Sequence, residues 1–258
     1  MFSWDFSQQV PEKPHYRTYH YVSNQAPQTQ MIAAPREKYE VADIIQPDRE
    51  IYMHLPSTEE EQQHQVQLTL SDALYKRRSS WQFKGKDLSK FTLAQLLTTS
   101  FGLSHQEKGL RTYPSGGMFY SVDIYMIPTK RTINSGLMEA KVYHYNVEQK
   151  RIDVVRSLDM EHMHHISSFT DIGHFSIDDA QVVLFLVAND TNVSKKYMEY
   201  TYRILLLEAG HMAQNFLLVS TALGLSCVPL GGFHEVIVKK VLGLEQPQYM
   251  VLYTLLGG

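Results

Sequence analysis

The sequence predicts an α+β layered fold, and three observations carry that prediction. Residues 204–223 hold the strongest helical pattern in the chain, with Leu207, Ala209, Met212, Ala213, Phe216, Leu217, Ser220 and Leu223 at helical spacing and Gly224 placed to stop the run. Residues 182–187 (VVLFLV) are apolar on both faces, as a strand in the middle of a sheet is, and residues 248–256 form a second apolar strand. Strand and helix patterns are interspersed without a regular βαβ rhythm, which favours an α+β arrangement over a doubly wound parallel sheet.

Taken in order, residues 1–68 are polar and broken by Pro11, Pro14, Pro27, Pro35, Pro47 and Pro56, so they read as an arm with short ordered pieces around 38–45 and 51–55. The Glu- and Gln-rich run 58–65 reads as solvated. Such an arm gains order only by packing on the core or on a partner subunit. The main domain is expected from residue 69 to 258. Ser71 is the expected N-cap of a helix over 72–77, and Thr92 that of a helix over 93–100, where Leu93, Leu96 and Leu97 form a face. A Pro-Ser-Gly-Gly turn then leads into the alternating Val122, Ile124 and Met126. Residues 141–146 and 151–155 read as a hairpin, 159–169 as a helix, and 225–229 as a short strand after the long helix.

Composition narrows the class. A chain of 258 residues, 43% hydrophobic and 20% charged, buries a substantial core as one or two domains. The net charge of −3 and the lack of any basic run longer than Lys76-Arg77-Arg78 argue against nucleic acid as the main partner. Cys227 is the single cysteine, so no intrachain disulfide forms. The first residues lack the basic-then-apolar pattern of a secretory signal, and the expected location is the cytoplasm. Residues 204–223 are long enough to cross a bilayer, but Glu208, His211, Gln214 and Asn215 would each sit in hydrocarbon at a cost of kilocalories, so no membrane span is expected.

Four groups of residues suggest chemistry. Arg77-Arg78-Ser79, at a helix end, offers guanidinium forks beside hydroxyl and backbone donors, a combination suited to a phosphate; a solvated surface pair is the plain alternative. Pro114-Ser115-Gly116-Gly117 and Pro229-Leu230-Gly231-Gly232 are loops whose backbone, lacking Cβ atoms, can approach a flat ligand closely. Neither has the spacing of a Walker loop or a dinucleotide fingerprint, and either alone is explained by a tight turn. Lys195-Lys196-Tyr197, ahead of the long helix, places an ammonium and a phenol where an acid or base is possible; a charged helix flank is the alternative. The pairs Glu161–His164 and Glu208–His211 have the i, i+3 spacing of carboxylate-bridged metal bundles, but so strand-rich a chain lacks the other helices such a site needs, and no metal is expected.

The order of the motifs is more specific than any one of them. RRSSWQF, TLAQLL, SFGLS, RTYPSGGMFYSVDIY, VYHYN, KKY, LEAGHMAQN and ALGLSCVPLGGF, followed by an apolar strand ending in Gly-Gly, resemble the nitroreductase superfamily, and specifically the SagB-type azoline dehydrogenases of thiazole/oxazole-modified peptide biosynthesis. The resemblance covers about residues 69–258. It implies a nitroreductase-like fold, a central mixed or antiparallel sheet flanked by helices, in an intertwined homodimer with FMN at the subunit interface. By that resemblance Arg77, Arg78 and Ser79 hold the FMN phosphate and the pyrimidine side of the ring. Pro114, Ser115, Gly116 and Gly117 wrap the flavin, often from the other subunit, and Pro229, Leu230, Gly231 and Gly232 lie against its face. Lys196 and Tyr197 match a catalytic pair. Trp81 stands where a second Arg or Lys is usual, and the sequence ends at Gly258, short of a basic residue common after the last strand; both imply fewer phosphate contacts.

The implied reaction is oxidation of thiazoline or oxazoline rings in a precursor peptide, beside a cyclodehydratase. Two readings compete with it: a general NAD(P)H-dependent nitro- or quinone reductase on the same fold, and a non-catalytic subunit that scaffolds a peptide-modifying complex.

Overall fold

The computed structural model describes residues 15–22, 49–56, 66–83, 87–161, 166–167 and 176–258. In chain order its elements are α1 (His15–Val22), β1 (Ile51–His54), α2 (Leu70–Lys76), α3 (Lys90–Phe101), β2 (Leu103–His105), β3 (Leu110–Arg111), β4 (Val122–Pro128), α4 (Lys130–Asn134), β5 (Lys141–Asn146), β6 (Arg151–Ser157), β7 (Val182–Asn189), α5 (Val193–Tyr197), α6 (Thr201–Ala222), β8 (Cys227–Leu230), α7 (Glu235–Leu242) and β9 (Tyr249–Gly257). The reading of an ordered piece at 38–45, the solvated run at 58–65 and most of the helix read at 159–169 fall outside the described residues.

Seven strands form one sheet in the order β1-β6-β5-β4-β7-β9-β8, and every neighbouring pair is antiparallel. The continuous apolar run of β7 places it inside the sheet, between β4 and β9. Its side chains alternate between two cores. Leu184 and Leu186, with Ile124 and Met126 of β4, face α3 and α6. Val183, Phe185 and Val187, with Tyr125 and Ile127, face α7 and the Leu158, Ile166 and Ile177 side. Each of these fully buried aliphatic or phenyl side chains contributes about 1.5–3 kcal/mol, so the two-sided burial of β4 and β7 is the main anchor of the fold. The hairpin read at 141–155 is present as β5 and β6, with Tyr145 opposite Ile152. The edge strand β1 comes from the proline-rich N-terminal part and pairs with β6.

α6 spans 22 residues, about 33 Å. It lies across the sheet, its Phe216 ring stacked 6.3 Å from Phe101 of α3. Gly257 admits that approach, since a Cβ there would stand 3.0 Å from the Phe216 Cζ.

Both helix starts come earlier than the sequence suggests. Thr69, not Ser71, caps α2, accepting the Asp72 N–H, and Ser89, not Thr92, caps α3, accepting the Thr92 N–H. Several hydroxyl residues cluster at each start, and the cap is the one with extended backbone. Leu207 also departs from the helical pattern assigned to the core. It is 58% exposed, and with the exposed Leu206 it forms an apolar outer face on α6. Among the described residues no helix is long and apolar enough to cross a membrane.

Candidate functional site

The long helix organises the predicted site residues into two groups. Toward its C-terminal end, the loop after α2 is joined to β8 by a hydrogen bond from Ser80 N–H to the Cys227 carbonyl, and Cys227 in turn lies against the Leu217 carbonyl. Arg78 folds back, its Nη1 donating to the carbonyls of Tyr75 and Arg77, so its charge caps the end of α2. Arg77 is half-buried, and among the described residues no hydrogen bond or ion pair occupies its guanidinium. Ser79 is exposed beside it, and Trp81 is 39% exposed. From β8, Pro229 and the buried Leu230 lead to Gly231, whose missing Cβ would meet nothing within 4 Å, and to Gly232, whose carbonyl accepts the Ser167 hydroxyl. The loop therefore exposes bare backbone to open space.

At the N-terminal end of α6 the second group converges. Ser115 starts a short 3-10 turn, Gly116–Met118, in which Gly117 has φ of 62°. A Cβ on Gly116 would stand 2.5 Å from Ile204 Cγ2 of α6, and one on Gly117 would stand 2.6 Å from the Tyr197 hydroxyl. The glycines thus let the loop sit directly on α6 and under Tyr197. Phe119 and Tyr197 meet edge to face at 5.9 Å, and the Lys196 Nζ lies 5.7 Å from the Phe119 ring centre and 5.5 Å from that of Tyr197. Burial pushes the Tyr197 phenol above its ordinary value, so at neutral pH it is a hydrogen-bond donor and not a phenolate.

Backbone strain gathers at the same place. Among the described residues, positive φ outside glycine occurs at Met118 (57°), Tyr120 (50°), Lys150 (47°) and Met198 (43°); three of the four flank the Gly117–Tyr197 contact. Such residues cost of order 1–3 kcal/mol each and persist where the surroundings fix them. Replacing Gly117 with Ala is expected to destabilise the fold by about 1–2 kcal/mol, measured in urea, and to displace the Tyr197 side chain, measured by its near-ultraviolet signal.

A layer beneath holds this loop. Glu208 of α6 is 2% exposed; it accepts the Ser115 hydroxyl at 2.5 Å and the Val122 N–H at 3.1 Å. Burial lifts its carboxyl to about 7, against hydrogen bonds from Ser115 and Val122 and the charge of Arg111, which hold it down. Arg111 is itself enclosed: its Nη1 donates to Tyr113 Oη at 2.9 Å and its guanidinium lies 4.8 Å over the Tyr120 ring. Asn215 donates to the carbonyls of Ser100 and Thr112, tying α6 to α3 and to the residue that follows β3. The predicted polar stripe on α6 therefore divides. Glu208 and Asn215 face inward as hydrogen-bonding groups, and His211 faces solvent, so the Glu208–His211 pair does not converge. Among the described residues no group of three or more His, Cys, Asp or Glu is arranged to hold a metal ion. The sequence pointed to the glycines and to Lys196-Tyr197; it gave no sign of Phe119, Ile204 or Arg111, whose roles depend on contacts distant in the chain.

The Ser115–Gly117 loop meets α6 at Ile204, and the Arg77–Ser79 segment is tied through Ser80 and Cys227 to Leu217, thirteen residues or about 20 Å further along the helix. At the Lys196–Tyr197 end α1 also docks, with Tyr19 edge-on to Tyr202 at 5.5 Å and the Arg203 Nη2 3.4 Å from the His20 carbonyl.

Known proteins with the same features identify the fold family. A Methanocaldococcus jannaschii protein assigned as a nitroreductase, MJ1384, is 30% identical over 194 residues, 75% of this chain and 90% of that protein. The Escherichia coli microcin B17-processing protein McbC is 25% identical over 159 residues, 62% of this chain and 58% of that protein. In three dimensions the chain superposes on one chain of the E. coli microcin synthetase McbBCD complex with truncated pro-MccB17 bound, with a TM-score of 0.61 at 20% identity over 95% of this chain and 91% of that one. The nitroreductase family profile matches residues 74–258, which contain the sheet from β4 to β9, α6 and both groups of site residues, and the chain belongs to the nitroreductase family.

Proposed function

We propose that the protein is an FMN-dependent dehydrogenase of the SagB type, oxidising thiazoline or oxazoline rings of a ribosomal precursor peptide to thiazole or oxazole. The observation that carries the reading is the convergence of Lys196, Tyr197 and Phe119 over Gly117: an amine, a phenol and an aromatic wall brought together by a glycine whose missing Cβ leaves room for the Tyr197 hydroxyl. Similarity to McbC, named for processing microcin B17, and to a chain of a complex that holds a precursor peptide supports a peptide substrate and partner subunits, a cyclodehydratase among them.

The residues present suit FMN. Arg77, whose guanidinium makes no hydrogen bond or ion pair among the described residues, is available for the phosphate, with the Ser79 hydroxyl beside it. Arg78, spent on the end of α2, acts there by fixing Arg77 in place. Gly231 and Gly232, after Pro229 and Leu230, expose backbone without a Cβ to the face of a flat ring, and Pro114–Gly117 forms a second wall. Because the contacts that seat the Ser115–Gly117 and Arg77–Ser79 segments on α6 are about 20 Å apart along it, a site using both is completed by a second copy, with the exposed Leu206 and Leu207 face as the pairing surface.

FMN, when bound, supplies a two-electron acceptor for the hydride lost from one ring carbon. The chain's own task is the proton lost from the neighbouring carbon. Lys196 in its free-amine form, or Tyr197, receives it, and with Lys196 as the base the Tyr197 phenol orients the ring by donating a hydrogen bond.

Purified protein is expected to be yellow, with a flavin spectrum and about one FMN per chain, and to remove about 2 Da per ring from an azoline-bearing peptide. Colourless protein that takes up no added FMN would sink the reading in favour of a scaffold subunit. The 30% identity to MJ1384 favours a second reading, a general nitro- or quinone reductase. Rapid bleaching of the flavin by NADPH in air-free solution, with no mass change on the peptide, would select it.

A further inference from the structure

Glu208 is the ionisable group that the proposed chemistry leaves unused. It lies under the Ser115 loop in the second turn of α6, its Oε1 accepting the Val122 N–H and its Oε2 the Ser115 hydroxyl. The Ser115 oxygen also accepts the Tyr120 N–H at 2.9 Å. A serine hydroxyl has one hydrogen and two lone pairs. With Glu208 ionised, the hydrogen points inward, one lone pair holds Tyr120, and the remaining lone pair makes Ser115 an acceptor on its half-exposed outer side. With Glu208 protonated, the carboxyl hydrogen occupies the Glu208–Ser115 bond. Both Ser115 lone pairs are then used inside, and its own hydrogen is released outward as a donor. The heavy atoms stay where they are, while the polarity offered to a ligand reverses.

We propose that Glu208 is a positioning residue whose protonation sets whether Ser115 presents a donor or an acceptor to the flavin, and that flavin binding draws one proton onto Glu208. The inference rests on the flavin reading above. An oxidised isoalloxazine edge carries four acceptors, N1, O2, O4 and N5, and one donor, N3–H, so a donating Ser115 is the better match. The proton balance is closed: Ser115 passes its hydrogen to Glu208 Oε2 and takes one from water on its outer side, so that one proton is consumed and no electron moves.

The surroundings allow that titration. Arg111 of β3 favours the carboxylate, Asp123 of β4 opposes it, and the Tyr113 phenol beside Arg111 is held neutral by burial. Lys90, the single ionisable residue of α3, lies over the Tyr52 ring, and Lys196 of α5 lies against Phe119 and Tyr197. Burial outweighs these charges and sets the carboxyl at about 7, within reach of a ligand-driven change of state.

The test measures FMN affinity from pH 6 to 8.5 by quenching of flavin fluorescence, with carboxyl carbon NMR on the flavin-free protein beside it. In the wild type one glutamate carboxyl is expected to titrate near neutrality, and FMN affinity to fall roughly fivefold or more as pH rises through that transition. Glu208→Gln keeps both hydrogen bonds in the protonated pattern, so it should bind FMN at all pH values as tightly as the wild type does at pH 6. Ser115→Ala, which removes the hydroxyl, should also give a flat profile, with weaker binding than the Gln variant at every pH, and it carries the test if Glu208→Gln does not fold. A wild-type profile with no pH dependence, or one that both variants retain, overturns the inference while leaving the flavin reading intact. A wild type that binds no FMN at any pH overturns the flavin reading, and this inference with it.

Discussion

Replacing Lys196 with Ala, or Tyr197 with Phe, is expected to leave bound FMN in place and to slow azole formation by at least about 100-fold, the usual contribution of a positioned acid or base. Neither side chain belongs to the groups proposed to hold the phosphate or the ring face, so the flavin spectrum and its stoichiometry should not change. The two substitutions should differ in kind. Lys196→Ala removes the proton acceptor and should depress turnover directly. Tyr197→Phe keeps the ring packed edge-on against Phe119 and over Gly117 and removes only the hydroxyl. Loss of the donor from this half-buried phenol should misorient the substrate ring, lowering turnover while the peptide still binds. Because the two groups act on one ring, the double variant should be little worse than Lys196→Ala alone. Mass loss of the peptide against time, with flavin absorbance recorded on the same samples, checks all three. Turnover unchanged in either single variant would remove that residue from the chemistry.

How much of this was legible in the sequence depended on how local the signal was. The strands β7 and β9 and the β5–β6 hairpin were visible because burial on one or both faces writes itself into consecutive residues. The long helix was visible for the same reason, to within three residues at either end. The helix caps were not, because Ser71 and Thr69, or Thr92 and Ser89, are chemically equivalent and only backbone geometry chooses between them. Leu207 fits the helical period as well as any core residue; that it points outward follows from what packs on the other side. At the candidate site, Lys196-Tyr197 and the glycine pairs were readable as local motifs. Their union was not: Tyr197 meets Gly117 across eighty residues of chain, and Ser115 meets Glu208 across ninety-three. A lone glutamate among leucines reads as a polar stripe until the partner loop is seen.

That buried glutamate also makes stability depend on pH in a direction opposite to the usual carboxylate. Burial raises its folded-state value from 4.5 to about 7. Below about 4.5 the carboxyl is protonated in both the folded and unfolded chain, and its contribution is full. As pH climbs from there to about 7, the unfolded chain releases the proton while the folded chain retains it, so stability declines; above about 7 both are ionised and the loss is complete. A shift of that size corresponds to about 3 kcal/mol. Glu208→Gln cannot ionise, and its amide can donate to Ser115 Oγ while its carbonyl accepts the Val122 N–H. The variant should therefore match the wild type near pH 4.5 and exceed it by up to about 3 kcal/mol at pH 8, read from urea unfolding at the two pH values. Glu208→Ala should be less stable than the wild type at both, because it leaves the Val122 N–H without its partner and opens a void beneath the loop. A Gln variant that gains nothing at pH 8 would mean that the carboxylate is already well solvated or paired in the folded chain, and that the loop above it is held by Arg111 and the tyrosines alone.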